Sequence, residues 1–230
     1  MYAELFKSNH IAHLLRVFSL IPIVAMVVFA KPLFYIVYGL FDLWLVVWVL
    51  VLKTASTFRQ RIKITDTSLF PSICWTTDLD YFGHMNNGRY FRELDNARHD
   101  FGFRSGLTDY IVSVKGGIAV IQASTIRYRK SINFLQRYTI KTRIIWYDEK
   151  ALYFEQCFVT KDAKHNSDFI CAIALLKCPL LNINVKEMMK NVFEIKEINI
   201  DPEKEKELKL FIKMNETSSA RLRGINNYVK

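Results

Sequence analysis

The chain has 230 residues, 51% of them hydrophobic and 23% charged. That composition excludes a disordered or low-complexity chain and fits one ordinary domain with a segment appended. Lys and Arg number 32 against 22 acids, a formal charge of +10, which attracts polyanions of any kind. Four cysteines (Cys74, Cys157, Cys171 and Cys178) show no CxxC spacing, and the five histidines form no HExxH pair. A disulfide framework, a zinc site and a resident metal or cofactor are therefore not expected, and a reducing compartment is. No nucleic-acid-binding module matches the basic residues, so nucleic acid is not an expected partner.

The apolar residues gather at the N-terminus. From Ile11 to Leu52 the only full charges are Arg16, Lys31 and Asp42. Residues 33–52 (LFYIVYGLFDLWLVVWVLVL) form a 20-residue run with one acid and no base. That is the length a helix needs to cross a hydrocarbon core, so 33–52 is expected to span a membrane. Residues 11–30 are a second apolar segment, interrupted by His13, Arg16 and Pro22. They read as a second span, an interfacial helix, or the core of a cleaved signal. Lys53, Arg59, Arg61 and Lys63 crowd the far flank of the 33–52 run, and basic flanks stay on the cytoplasmic side. The expected arrangement is an anchor over residues 1–58 in the endoplasmic reticulum membrane, with the rest facing the cytosol. There the sequon Asn215-Glu216-Thr217 would never meet the glycosylation machinery.

Beyond the anchor, an apolar stretch at 69–76 leads into a polar turn. Asn87–Arg104 then predicts a helix, because Tyr90, Leu94, Ala97 and Phe101 recur at steps of four, three and four and make one apolar stripe. Ser105 between Gly102 and Gly106 closes it. Four strand-like stretches follow: 117–129, 137–147, 151–160 and 168–178. β-Branched and aromatic residues dominate them, and Asn133, Asp148-Glu149-Lys150 and Lys164–Ser167 supply the turns. Arg127 and Arg129 share one strand face, as do Lys141 and Arg143. One strand, one helix, then four strands predicts an α+β domain over 59–180, an antiparallel sheet wrapped around a long helix. In the extension 181–230, Asp201-Pro202 caps a mostly solvated helix over Glu203–Met214.

The run TTDLDYFGHMNNGRYFRELDNAR, ending at Arg98, holds the chemistry. It sets Asp78, Asp80 and His84 in a turn directly before a helix N-terminus. Asn86 and Asn87 are capping residues, and Gly88 lets another group approach the first turn. Unpaired N–H groups there polarise a carbonyl or hold an oxyanion, and a carboxylate just upstream acts on that carbonyl as base or nucleophile. The same residue types are also ordinary turn and cap formers.

The pattern D-x-D-x-x-G-H-x-N-N-x-x-Y, followed by Ala97-Arg98, resembles the signature of hotdog-fold thioesterases of the 4-hydroxybenzoyl-CoA and acyl-ACP type. The resemblance covers roughly residues 60–180 and implies a hotdog fold, a five-stranded antiparallel sheet around a central helix. Over residues 38–224 the chain is also similar to the thioesterase superfamily member 6 family. The shared features are Asp42-Leu43-Trp44, the DLD…HMNN core, and Asn215-Glu216-Thr217-Ser218-Ser219 followed by Leu222-Arg223. Carried over by position, Asp80 is the catalytic carboxylate, Asn87 offers its backbone N–H to the thioester oxygen, and His84 matches the histidine of acyl-ACP thioesterases. Asn86, Gly88 and Tyr90 fall where substrate binds. Where the acyl-ACP enzymes carry an asparagine between acid and histidine, this chain has Phe82, which favours the acyl-CoA-type arrangement. The resemblance further implies a homodimer with the site at its interface. The expected substrate is acyl-CoA or a related acyl thioester. Arg127, Arg129 and Lys130 read either as a solvated strand face or as a grip on coenzyme A phosphates. Two functions follow: a membrane-anchored acyl-thioester hydrolase, or a non-catalytic hotdog module binding acyl chains or a protein partner.

Overall fold

The computed structural model describes residues 43–161 and 167–228. The chain divides into two compact units, Met1–Val51 and Leu52–Lys230. In the first, the described residues open helix α1 (Leu43–Thr57), on which Val47, Leu50 and Val51 are exposed. No helix among the described residues is long and apolar enough to cross a membrane. The predicted 33–52 span reaches the described residues only from Leu43 onward, and the 11–30 segment lies outside them, as does most of the predicted Lys164–Ser167 turn.

The second unit follows the predicted order. Strand β1 (Ser68–Ile73) and a single 3-10 turn (Thr76–Asp78) precede helix α2 (Asn87–Ser105) and the short helix α3 (Leu107–Ser113). Strands β2 (Ile118–Ala119), β3 (Ala123–Tyr128), β4 (Arg137–Tyr147), β5 (Ala151–Lys161) and β6 (Asp168–Leu181) come next. Helices α4 (Val185–Asn191) and α5 (Pro202–Tyr228) close the chain. The strands lie in the order β1-β4-β5-β6, with β2 and β3 pairing end to end along β6. Every pairing is antiparallel; Phe70 faces Ile140 and Ile126 faces Ala174.

This curled sheet wraps α2. The helix presents Tyr90, Leu94, Ala97 and Phe101 inward, each at most 2% exposed. They pack into one cluster with Ile140 and Ile144 of β4 and Phe154 and Phe158 of β5. Each large apolar side chain buried there contributes about 1.5–3 kcal/mol. The α2 N-terminus is capped by the Asn86 side chain, which accepts the Gly88 N–H at 2.9 Å. Its C-terminus stops at Gly106, where φ is +79°.

Strand β4 alternates, with Tyr138, Ile140, Thr142 and Ile144 facing in. Ile145 falls on the opposite face by the same alternation, and a bulge between Ile144 and Trp146 then shifts the register so that Trp146 also meets Tyr153. Strand β5 is buried from Ala151 to Thr160, because α2 covers one face and α5 the other. On that outer face Leu208 and Phe211 of α5 cover Ile145, Tyr153 and Leu175. Glu155, its side chain 5% exposed, pins the layer by accepting from Arg143 Nη2 at 2.7 Å and Lys204 Nζ at 3.0 Å.

Two expectations are corrected. The predicted 117–129 strand is two strands, because the chain leaves strand geometry at Val120–Gln122. The C-terminal helix does not stop at Met214 but runs to Tyr228. Helices α3 and α4 were not signalled by periodicity, since seven residues give too few turns for an apolar stripe to show.

Candidate active site

The segment between the 3-10 turn and α2 is a tight loop whose two acids do different things. Asp78, 3% exposed, faces inward. Its Oδ2 accepts the Trp75 N–H at 2.8 Å and its Oδ1 accepts Arg92 Nη2 at 2.5 Å. Arg92 also donates to Glu93, so Asp78 is spent on holding the turn against α2. Asp80 sits at the open end. Its N–H donates to the His84 carbonyl at 2.9 Å, and Gly83 N–H donates back to the Asp80 carbonyl at 3.2 Å. Gly83, at φ +75°, makes that reversal possible.

The Asp80 carboxylate is divided between two neighbours. Oδ1 accepts the Phe82 N–H at 2.9 Å, which fixes the loop. Oδ2 lies 3.1 Å from His84 Nδ1. That approach is out of line for a hydrogen bond, and Nδ1 is left buried without a hydrogen-bond partner. Oδ2 therefore accepts no hydrogen bond from the imidazole and keeps its lone pairs for another donor. The Phe82 ring lies nearly parallel to the imidazole, centroids 5.7 Å apart, and shields it from one side.

The helix N-terminus stands next to this pair. Asn86 N–H donates to the Asp78 carbonyl at 2.7 Å, and the Asn86 side chain caps Gly88. A Cβ on residue 88 would come within 3.3 Å of that capping oxygen, so glycine leaves the cap room. The Asn87 N–H, first of the helix, has no acceptor among the described residues. The arrangement thus holds a carboxylate oxygen, an imidazole and a free amide at the positive end of a 19-residue helix. Such a set suits polarisation of a carbonyl and delivery of a nucleophile to it. Among the described residues no group of His, Cys, Asp and Glu could hold a metal ion.

Asp80, His84, Asn86, Asn87 and Gly88 therefore come together. Tyr90 lies one turn inside, 2% exposed, with its ring edge-on to Tyr128 and Phe158 at 5.0 and 4.7 Å. Burial pushes its phenol up to about 12. Arg98 is further along α2, donating to Gln156 Oε1 at 2.6 Å and to Asp95. Two residues outside the motif complete the wall. The Tyr128 hydroxyl donates to the Asn87 carbonyl at 3.1 Å, and Asn133 bridges to His84 through the backbone. Neither has a signature of its own in the sequence; only the fold brings them to the loop.

Residues 74–198 match the model of the thioesterase-like superfamily, and that span contains the loop, α2 and the whole sheet beyond β1. The chain belongs to that superfamily. Within it, protein THEM6 from Drosophila melanogaster is 42% identical over 167 residues, covering 72% of this chain and 82% of that protein. Protein THEM6 from Xenopus laevis is 31% identical over 199 residues, covering 84% and 92%. The chain therefore groups with the THEM6 proteins, as the wider resemblance over 38–224 implied. Among solved structures, the probable thioesterase YbaW from Escherichia coli is 18% identical, covering 57% of this chain and 98% of that one, with a TM-score of 0.48. A 4-hydroxybenzoyl-CoA thioesterase complexed with 4-hydroxybenzoyl-CoA is 15% identical, covering 50% and 83%, with a TM-score of 0.46. The hotdog architecture of this superfamily is the antiparallel sheet curled around α2 described above.

Proposed function

We propose that this thioesterase-superfamily chain is a membrane-anchored hydrolase that splits fatty acyl-CoA, or a related acyl thioester, into free fatty acid and thiol. The observation that carries the reading is the Asp80 Oδ2, held beside His84 at 3.1 Å on the loop that runs into the α2 N-terminus and its free Asn87 N–H. The Asn87 N–H binds the thioester oxygen and stabilises the charge that grows on it. Asp80 either attacks the carbonyl carbon directly or takes a proton from a water that does. The C–S bond then breaks and the thiolate takes up a proton, from His84 or from solvent; in the direct route a water then hydrolyses the acyl-Asp80 anhydride to release the fatty acid and restore the carboxylate. Asn86, Gly88 and Tyr90 shape the start of the helix against which the acyl group lies.

Anchoring is supported by the apolar 33–52 run, by the exposed Val47, Leu50 and Val51 of α1, and by the bases that follow. The reading places the span in the endoplasmic reticulum membrane, the domain in the cytosol, and two copies side by side sharing their sites. Protease added to intact microsomes would then digest the domain, whereas a protected domain glycosylated on Asn215 reverses the orientation.

The decisive experiment follows thiol release from long-chain acyl-CoA by the purified full chain. Asp80→Asn should lower turnover about 100-fold or more, the share of a catalytic carboxylate. Equal rates for wild type and variant would leave the second reading, a hotdog module that binds acyl chains or a protein partner without hydrolysis. What favours that reading is Phe82 over the imidazole, together with the Asp80 Oδ1 already committed to its own loop.

A further inference from the structure

The surface around the mouth of this loop is apolar where a soluble protein's is polar. Trp75 is 53% exposed, Tyr81 105%, Phe82 84%, Phe134 45% and Leu135 47%. They form one continuous feature because two loops are laced together beneath them. Phe134 N–H donates to the Gly83 carbonyl at 3.4 Å, Leu135 N–H donates to the Cys74 carbonyl at 2.8 Å, and His84 bridges to Asn133. The Trp75 and Phe134 rings stand 6.4 Å apart. Leu135 holds φ at +56°, a left-handed conformation that glycine or asparagine adopts far more easily. A leucine at the tip of such a turn, with half its surface in water, is strained in the backbone and unrewarded by packing within the chain.

The charges around the patch share one sign. Arg127–Arg137 (RYRKSINFLQR) contains four bases and no acid. Arg129, Lys130 and Arg137 are exposed on it, and Arg89 is exposed on the first turn of α2. The acids nearby are held by partners in the chain: Asp78 and Glu93 are buried on Arg92, Asp80 lies between Phe82 N–H and His84, and Asp168, beside the Phe169 ring under Arg129 and Lys130, pairs with Lys141 and Lys161. Aromatic and leucine side chains projecting from loops among bases match the physics of an interfacial contact. The rings enter the headgroup layer and the bases meet lipid phosphates. We infer that the Trp75–Phe82 and Arg129–Arg137 loops form a docking surface for the anionic face of a phospholipid bilayer, which sets the Asp80 loop at the headgroup level. The inference does not depend on the hydrolase reading, because docking is read without activity.

The test uses the full chain reconstituted into vesicles of phosphatidylcholine, alone or mixed with phosphatidylserine. The four native cysteines are buried, so Leu135→Cys takes a single environment-sensitive fluorophore. In the mixed vesicles its emission should shift to the blue and be quenched by a lipid carrying a shallow nitroxide. A label at Val112→Cys on α3, where the side chain is 75% exposed, should stay aqueous. Replacing Arg129 and Lys130 by Gln should lower the docking equilibrium about 25-fold, roughly fivefold for each base. Phe134→Cys is read in parallel, so a folding defect at one position leaves the other measurement standing. A label that stays aqueous in the mixed vesicles overturns the inference. So does one that is blue-shifted but untouched by the nitroxide, which assigns the patch to a second copy or another protein.

Discussion

Removing the charge of Asp100 tests whether the α2 C-terminus is held by electrostatics as well as by packing. The Asp100 side chain is 3% exposed and lies between two guanidinium groups. Oδ1 accepts from Arg59 Nη1 at 2.5 Å, and Oδ2 accepts from Arg104 Nη1 and from the Ser68 hydroxyl, each at 3.2 Å. The arginines reach onward, Arg59 to the Leu69 carbonyl at 2.6 Å and Arg104 to the Gln60 carbonyl at 2.9 Å. One carboxylate thus ties the 59–69 segment to the core helix. Asp100→Asn keeps the shape and removes the charge, leaving Arg104, 9% exposed, without a counter-ion. Breaking a buried pair in this way costs about 3–5 kcal/mol. The Arg59 side chain is 31% exposed and water takes over part of its role, so the expected cost is about 3 kcal/mol, the low end. For a unit of this size that lowers the melting temperature by about 6–12 °C. Circular dichroism melts of the full chain and the variant, at matched detergent and pH, measure it. A shift of less than 2 °C (a bound from the same scaling) would mean that water already screens the cluster, and would refute the burial argument.

Phe158→Ala removes a ring that is 0% exposed and packs against Tyr90 and Tyr138. Urea unfolding should show a loss of about 3–5 kcal/mol, and an unchanged midpoint would place the core elsewhere. Burial raises the thiols of Cys74, Cys157 and Cys178 to about 11. The native chain should therefore react slowly with a thiol reagent at neutral pH and rapidly in denaturant; fast native labelling would contradict that burial. Burial, and then the charge of Arg98, lowers the His99 pKa below its ordinary 6.5. Between that lowered value and pH 6.5 the unfolded chain binds the proton more readily than the folded one. Stability should therefore fall as pH drops through this window, and less so in His99→Gln. Parallel pH curves for the two proteins would exclude the effect.

The long central helix was legible because its stripe faces one cluster: Tyr90, Leu94, Ala97 and Phe101 all enter the same core. Strand β4 was legible from the Lys141/Arg143 alternation, and β6 from its residue types and the turn residues before it. Strand β5 was found from its bounds and its β-branched and aromatic content, since a strand covered on both faces does not alternate. The break at Val120–Gln122 was hidden, because it is a shift of register against β6, across which Val120 and Gln122 still donate to the Pro179 and Lys177 carbonyls, and side-chain type does not mark it. At the site, Asp80, His84 and Asn87 were readable as one group because they are local in sequence, on one loop and the helix start that follows it. It did not distinguish Asp78 as a buried partner of Arg92. It also gave no sign of Tyr128 or Asn133, which reach the loop only through the curl of the sheet.

The superfamily match ends at residue 198, yet helix α5 begins at Pro202 and roofs the convex side of the sheet. A fragment trimmed at the match boundary would bare Ile145, Tyr153 and Leu175 and strip Glu155 of Lys204. The smallest piece able to stay monodisperse is consequently longer than the stretch that the superfamily match covers. Among the described residues, α5 thus occupies the convex face over Ile145, Tyr153 and Leu175 that would otherwise lie open to another layer.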